Sequence, residues 1–570
     1  MDRIFVLYSA LFFATTLLYI FSKRRSNHPL PPGPPGLPLV GNVLNAPSSF
    51  EWVKYAEWAK EYDSELIFLR VFGTGMLALS SREDAEELLE KRSAIYSNRY
   101  TLYIIISKIP SLPMMLFYRP SIPMMDIIGN SEVVVPVMPY CEHWKECRKL
   151  FHREVEAKTA LHRPREIAAT RRLMKSLCDS EGKNVSSSIW TLWSSDVVLS
   201  LAYGIEVLPE NDPFVKIANE AANSFAMAGQ PGSFLVNTLP VLRHIPAWLP
   251  GAGFQRKAAQ WRKSIYALAE VPFDTVRARL ALGHDVQSSI ASRMIPTLNN
   301  DNPETFEKAS TTLCHALANI FAAGPDIAVA METFLLAMVT YPSVAKDAQN
   351  AIDRAIQSTA FPTFEDITDQ KIPYLDALVS EVLRWNPVAP LAMPHATTAD
   401  DVYKGYFIPK GTIVMPNVWS MLRDEKVYGA RTEEFNPGRF LIEIAEYEGE
   451  KRRVVINTDV PYPEVAFGFG RRKCAGRCMW CFFFFFSEGP CPCNAFTCSF
   501  TVMAREVLSF AIASVLWGFD IRKATNDKGE VLEPSGKYIS GAVCRPEPFE
   551  CVFKVRSSHV RQLLLESLDD

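Results

Sequence analysis

The sequence predicts one large apolar-cored domain tethered to a membrane by a single N-terminal helix. Three observations predict it. Ile4 to Phe21 is an uncharged, apolar run. Hydrophobic residues make up 48% of the 570-residue chain, and no repeat or low-complexity linker divides it, so a sizeable core can form. Leu313 to Thr340 is a long, apolar, helix-forming stretch of the kind that runs through such a core.

The first segment has 18 residues, about 27 Å as a helix, which just spans a bilayer core. Lys23, Arg24 and Arg25 follow it at once. A cleaved signal would carry its charges before the apolar run. The positive-inside rule therefore keeps the helix and leaves the rest of the chain in the cytosol. Pro31-Pro32-Gly33-Pro34-Pro35-Gly36-Leu37-Pro38 reads as a stiff hinge of the polyproline kind. The expected organisation is an anchor at 4–21, a basic and Pro-rich hinge at 22–38, and a domain at 39–570. Length alone would suggest three or four domains, but nothing in the composition divides the chain. A net charge of −3 gives no basis for a nucleic acid partner. In a reducing cytosol the 12 cysteines are mostly thiols. Asn184-Val185-Ser186 fits a glycosylation pattern but would face the wrong compartment.

Chemistry concentrates at Phe467-Gly468-Phe469-Gly470-Arg471-Arg472-Lys473-Cys474-Ala475-Gly476. Lone thiols are usually buried and inert. This one has cationic neighbours and an apolar, helix-forming run after it, which favour a thiolate. Gly470 and Gly476 would let the backbone pass close to a flat ligand. A thiolate so placed suits a soft or borderline metal, haem iron included. The plain alternative is a glycine turn with an incidental cysteine.

Phe467, Gly470, Arg472, Cys474 and Gly476 together resemble the haem-binding loop of the cytochrome P450 superfamily. Two further signatures stand upstream. Glu381-Val382-Leu383-Arg384 is similar to the family's Glu-x-x-Arg helix; residues at i and i+3 share a helix face. Phe435-Asn436-Pro437-Gly438-Arg439-Phe440 resembles its Pro-x-Arg-Phe segment. The resemblance implies a buried structural triad of Glu381, Arg384 and Arg439 that braces the cysteine loop from behind. Trp144 and Arg148, at i and i+4, match the family's Trp-x-x-x-Arg helix. With His395 and Arg472 they are the implied partners of the haem propionates. A core aromatic and an exposed charge are the plain readings of Trp144 and Arg148.

One motif departs from the family. Ala322-Ala323-Gly324-Pro325-Asp326-Ile327-Ala328 stands where the family has small residues, an acid and then a threonine. The small residues are expected to leave room for dioxygen, and Asp326 to relay protons. Ile327 occupies the position of the usual Thr and carries no hydroxyl. Pro325 lacks an N–H and should deepen the helix kink.

The resemblance implies a mainly α fold with small β-sheets, haem b with Cys474 as axial thiolate, and a monooxygenase. Such an enzyme inserts one atom of O2 into a small apolar substrate such as a terpenoid, steroid or polycyclic aromatic. Its electrons come from NADPH through a cytochrome P450 reductase. The anchor implies membrane lipid around 4–21 and an endoplasmic reticulum location, single-pass, with the catalytic domain cytosolic. The layout is similar to fungal members of secondary metabolism or xenobiotic oxidation. The alternatives are a haem-thiolate isomerase or dehydratase needing no external electrons, and an inactive mis-spliced product.

Two segments interrupt the family pattern: 100–119 and 478–501. Arginines stand at both edges of the first, Arg99 and Arg119. Cys478-Met479-Trp480 can be coded TGT ATG TGG, which contains a fungal-type splice donor, and Phe482 to Phe486 looks like a translated pyrimidine tract. Both are expected to be introns read in frame. Cys491 and Cys493 lack a matching second pair or histidine cluster for a metal site.

Overall fold

The structure is a computed structural model describing residues 28–38, 40–71, 73–99, 123–229, 233–238, 240–298, 302–356, 361–368, 371–445, 452–475 and 503–566. The expected anchor at 4–21, the two interrupting segments and Gly476 lie outside the described residues.

The fold is mainly helical with small sheets, as the sequence implied. The principal helices are α1 (Glu51–Glu61), α2 (Glu142–Phe151), α3 (Arg163–Asp179), α4 (Ile189–Tyr203), α5 (Pro213–Gly229), α6 (Gly253–Ala281), α7 (Pro303–Phe321), α8 (Gly324–Thr340), α9 (Pro342–Ala355), α10 (Pro373–Trp385) and α11 (Met503–Gly518). α4 and α11 are buried on nearly every side, which is what an all-round apolar helix requires. α4 packs along α8, and α11 contacts α3, α9 and α10. Pro303 to Thr340 is long and apolar enough to cross a membrane, yet most of it is buried inside the protein. It is the central helix of the core.

That central helix is broken. α7 ends at Phe321 and α8 starts at Gly324. Pro325 has no N–H to offer, and its ring displaces the carbonyl one turn back. The chain turns tightly instead: Asp326 N–H donates to Ala323 O at 3.2 Å. Gly324 serves helix packing here. A Cβ on it would come 3.2 Å from Val198 Cγ2 of α4. Its lack of a side chain lets α8 approach α4 closely.

The largest sheet has four strands, β1 (Leu66–Val71), β2 (Thr74–Leu79), β3 (His395–Ala396) and β4 (Ile413–Pro416), in the order β1-β2-β4-β3. β2 and β4 run parallel and the other pairs antiparallel. The register sets His395 opposite Val414. The described part of the Pro-rich stretch is stitched to this sheet. Phe68 N–H donates to Pro32 O at 2.8 Å, and Asn42 Nδ2 to Pro34 O at 2.7 Å. A Cβ on Gly33 would sit 2.1 Å from Phe68 O, so glycine is required for that approach. The stretch expected as a hinge thus packs on the domain through its second half.

Candidate active site

The cysteine loop is built on backbone turns. Glu464–Phe467 is a single 3-10 turn, and Gly470–Arg472 is another. Cys474 N–H donates to Phe467 O at 2.8 Å, which closes the loop and leaves the cysteine exposed. Gly470 has φ +57°, and a Cβ there would lie 2.1 Å from Leu89 O. The sequence reading gave Gly470 to a flat ligand; in the structure the Glu87–Lys91 turn takes the space. The same turn ties the loop from below. Glu90 Oε1 accepts from Gly470 N–H at 3.3 Å and pairs with Lys473 Nζ at 2.6 Å. Arg82 reaches Glu464 at 2.5 Å. Phe467 packs against the main core. The described helix after the loop begins at Met503.

Glu381, Arg384 and Arg439 come together as expected, Glu381 and Arg384 fully buried and the Arg439 side chain nearly so. Arg384 Nε donates to Glu381 Oε2 at 2.6 Å, and Arg439 Nε to Glu381 Oε1 at 3.2 Å. Asn436 N–H adds a third donor at 2.7 Å. The two arginines also hold the carbonyls of Leu422 and Tyr428. The triad therefore organises the 422–439 stretch. The direct braces of the cysteine loop are Arg82 and Glu90, which sequence reasoning missed because nothing near them in the chain marks them.

Arg148, Arg472, His395 and Trp144 converge, and Arg99 joins them. The Trp144 ring lies 4.4 Å from the Arg472 guanidinium and 6.0 Å from that of Arg148. Arg472 Nε donates to Ser97 O at 2.9 Å, while Nη1 and Nη2 are buried with no hydrogen-bond partner. Burial and the neighbouring Arg148 lower its pKa to about 9. Burial, then Arg99 and Arg472, hold the His395 imidazole well below its ordinary range. Arg99 is also buried, held by the carbonyls of Pro136 and Pro394 at 2.8 and 3.0 Å. Its pKa is lowered by burial and by Arg472. Ala392, at φ +49°, turns the chain just before the Met393 and Pro394 carbonyls that receive Arg99. A buried cluster with this much positive charge and two orphaned donors requires anions. Two carboxylates on the rim of a flat prosthetic group meet that requirement. The His395 ring adds a condition: Nδ1 lies 2.8 Å from Tyr96 O and so bears the proton. His395 can donate from Nε2 only as the imidazolium, which a nearby carboxylate would favour.

Asp326 stands in the first turn of α8. Its side chain touches open space, yet protein surrounds it closely enough that burial raises its pKa to about 6. Both hold for a group lining an internal cavity. Ala322 and Ala323, in the helix break, are likewise not packed over. Ile327 packs its apolar side partly against the core.

This helical fold, with a cysteine loop facing a buried cationic cluster and a broken central helix, defines a haem-thiolate oxidoreductase. The sequence model of the cytochrome P450 family matches residues 123–479, and the chain belongs to that family. It is similar over nearly its whole length to fungal monooxygenases. The cytochrome P450 monooxygenase eriA of Hericium erinaceus is 37% identical over 544 residues, 95% of this chain and 91% of the relative. The cytochrome P450 monooxygenase ple1 of Rhodocybe pseudopiperita is 34% identical over 553 residues, 96% and 93% of the two chains. Tryptamine 4-monooxygenase of Psilocybe cyanescens is 29% identical over 566 residues, 97% and 98%. Membership implies haem held by a cysteine thiolate, with O2, an organic substrate and a redox partner.

Proposed function

We propose that this chain oxidises a small apolar organic substrate by inserting one oxygen atom, with electrons passed from NADPH through a cytochrome P450 reductase. The observation that carries the reading is the orphaned Arg472 guanidinium beside Trp144, Arg148, Arg99 and His395, on the same loop as Cys474. Cys474 would ligate the haem iron through its thiolate, and those five residues would hold the two propionates. Haem supplies the activation of dioxygen. The chain supplies the rest. Ala322 and Ala323 keep space open at the helix break. Burial raises the Asp326 pKa to about 6, within reach of giving and regaining a proton close to neutral pH. Tryptamine 4-monooxygenase acts, by its name, on a small aromatic amine, in keeping with a small organic substrate here. A terpenoid, steroid or polycyclic aromatic fits the apolar Ile327. Replacing Cys474 with Ala should abolish the thiolate-type absorbance under carbon monoxide; its survival would overturn the assignment.

A second reading is a haem-thiolate isomerase or dehydratase, favoured by Ile327 and Ala328 in the places of two hydroxyls. Product formed without NADPH or reductase would establish it.

The reductase docks on the cysteine side. Lys149 and Arg471 are exposed there, while Lys145, Arg153 and Lys473 are engaged by Glu142, Glu154 and Glu90. Residues 4–21 anchor the chain in the endoplasmic reticulum membrane, supported by the cations that follow. Segments 100–119 and 478–501 are retained introns. The family match runs from 123 to 479, so its ends fall close to both segments. Comparing cDNA with genomic DNA tests this.

A further inference from the structure

α2 presents two adjacent rows. Trp144 and Arg148 face the cationic cluster, and His143 and Cys147 face α7. Cys147 Sγ meets Thr312 O at 3.8 Å. His143 Nε2 lies 3.0 Å from His315 Nδ1 of α7, with the rings edge-on and their centroids 5.2 Å apart. Thr312 Oγ1 lies 2.9 Å from Lys308 O, to which it donates, and 3.4 Å from His143 Nδ1. One turn along α7, Asn319 pins the approach to α2: Nδ2 donates to Val133 O at 2.8 Å and Oδ1 accepts from Val135 N–H at 2.9 Å. A hydrogen bond between two ring nitrogens needs one protonated and one bare. Both rings doubly protonated would face N–H to N–H, as like charges in contact.

We propose that His143 and His315 are positioning residues: their shared hydrogen bond seats the Trp144–Arg148 edge of α2, and thus the propionate clamp, until both rings are protonated. This rests on the haem reading above.

The surroundings keep the pair uncharged at neutral pH. Burial lowers the His143 pKa, with Glu146 opposing and Lys308 assisting. Burial and His143 push His315 down to about 4, against Glu132. The charged groups facing the pair are few and mutually engaged. Glu146 of α2 pairs with Lys308 of α7 at 3.0 Å, and Glu132 with Arg262 of α6 at 3.1 Å. On α2 itself, Glu142 and Lys145 pair with each other at 3.0 Å. For imidazoles depressed in the native state, the seated form is favoured above the unfolded value of about 6.5. That preference is lost as pH falls from there towards about 4.

The test uses full-length haem-loaded enzyme, with His143→Gln, His315→Gln and the double variant. Glutamine can hydrogen-bond across the gap and cannot titrate. Two quantities are followed between pH 7.5 and pH 4.5: the rate of haem release by Soret absorbance, and amide hydrogen exchange over residues 142–151. The wild type should show release and exchange rising together on acidification, on the order of tenfold or more, with a slope exceeding one proton. Either single variant should blunt both rises, and the double variant should blunt them no further, since the pair acts as one unit. Identical acid profiles in the wild type and His315→Gln, or additive effects in the double variant, would overturn the proposal. The partner-helix variant, His315→Gln, decides even where His143→Gln is unstable. A protein lacking thiolate-type absorbance at pH 7.5 sinks the haem reading instead, and the exchange of α2 amides still tests the pairing of the two histidines.

Discussion

Arg472 buries two donor nitrogens without a partner, a cost of about 1–3 kcal/mol each when nothing accepts them. That cost makes opposite predictions for the empty and loaded protein. Arg472→Met should raise the melting temperature of the haem-free chain, because the unmet donors are gone. The same change should weaken haem retention, measured by titrating haem into the apo protein. A fall in both would mean that Arg472 is structural only. Asp326 and Ile327 set a second contrast. Ile327 offers no hydroxyl, so under the proposed function Asp326 would have to deliver protons through water, and peroxide should leak. Ile327→Thr should increase product formed per NADPH consumed. Equal ratios with little peroxide in either form would show that a substrate hydroxyl fills the gap. Asp326 also carries a pH signature. Its native pKa is raised by burial to about 6, so the native state favours the protonated form. Its contribution to stability is full below the unfolded value of about 3.8 and lost as pH rises through about 6. Asp326→Asn should therefore flatten the stability–pH curve in that window, read by thermal melts.

The i and i+3 spacing of Glu381 and Arg384 marks α10 in the sequence, and the structure adds what the pair holds. Glu381 accepts from Arg384, Arg439 and Asn436 while fully buried. Glu381→Gln leaves two buried guanidinium groups short of an anion and should destabilise the domain by about 3–5 kcal/mol, seen as a lower denaturant midpoint. Little loss would mean that the carbonyls of Leu422 and Tyr428 suffice. α7 and α8 tell the complementary story. Pro325 pointed to a kink, and the helix is interrupted there. The close packing of Gly324 was not legible, because the neighbour it approaches, Val198, is far away in the chain.

Across the whole molecule, the Pro-rich stretch joins the domain through Pro32 and Pro34. Removing residues 1–27 should leave the melting temperature unchanged, whereas removing 1–38 should lower it. Equal stability of the two truncations would show that these hydrogen bonds are replaced by water at no cost. Wherever chemistry sits within a few residues, as in the cysteine loop, the Glu-x-x-Arg helix and the Trp-x-x-x-Arg helix, the sequence by itself determined class and cofactor. Local spacing places side chains on one turn or one helix face, so these signals survive without a fold. Tertiary structure alone decided the rest. Arg99, Arg148, His395 and Arg472 are spread over hundreds of residues and meet only because β3, α2 and the cysteine loop pack together. Gly470 is glycine because Leu89 O lies against it, and Asp326 is perturbed by the protein packed around it. Burial and contact between distant segments set these properties, and neither is written in the neighbourhood of the residue that bears them.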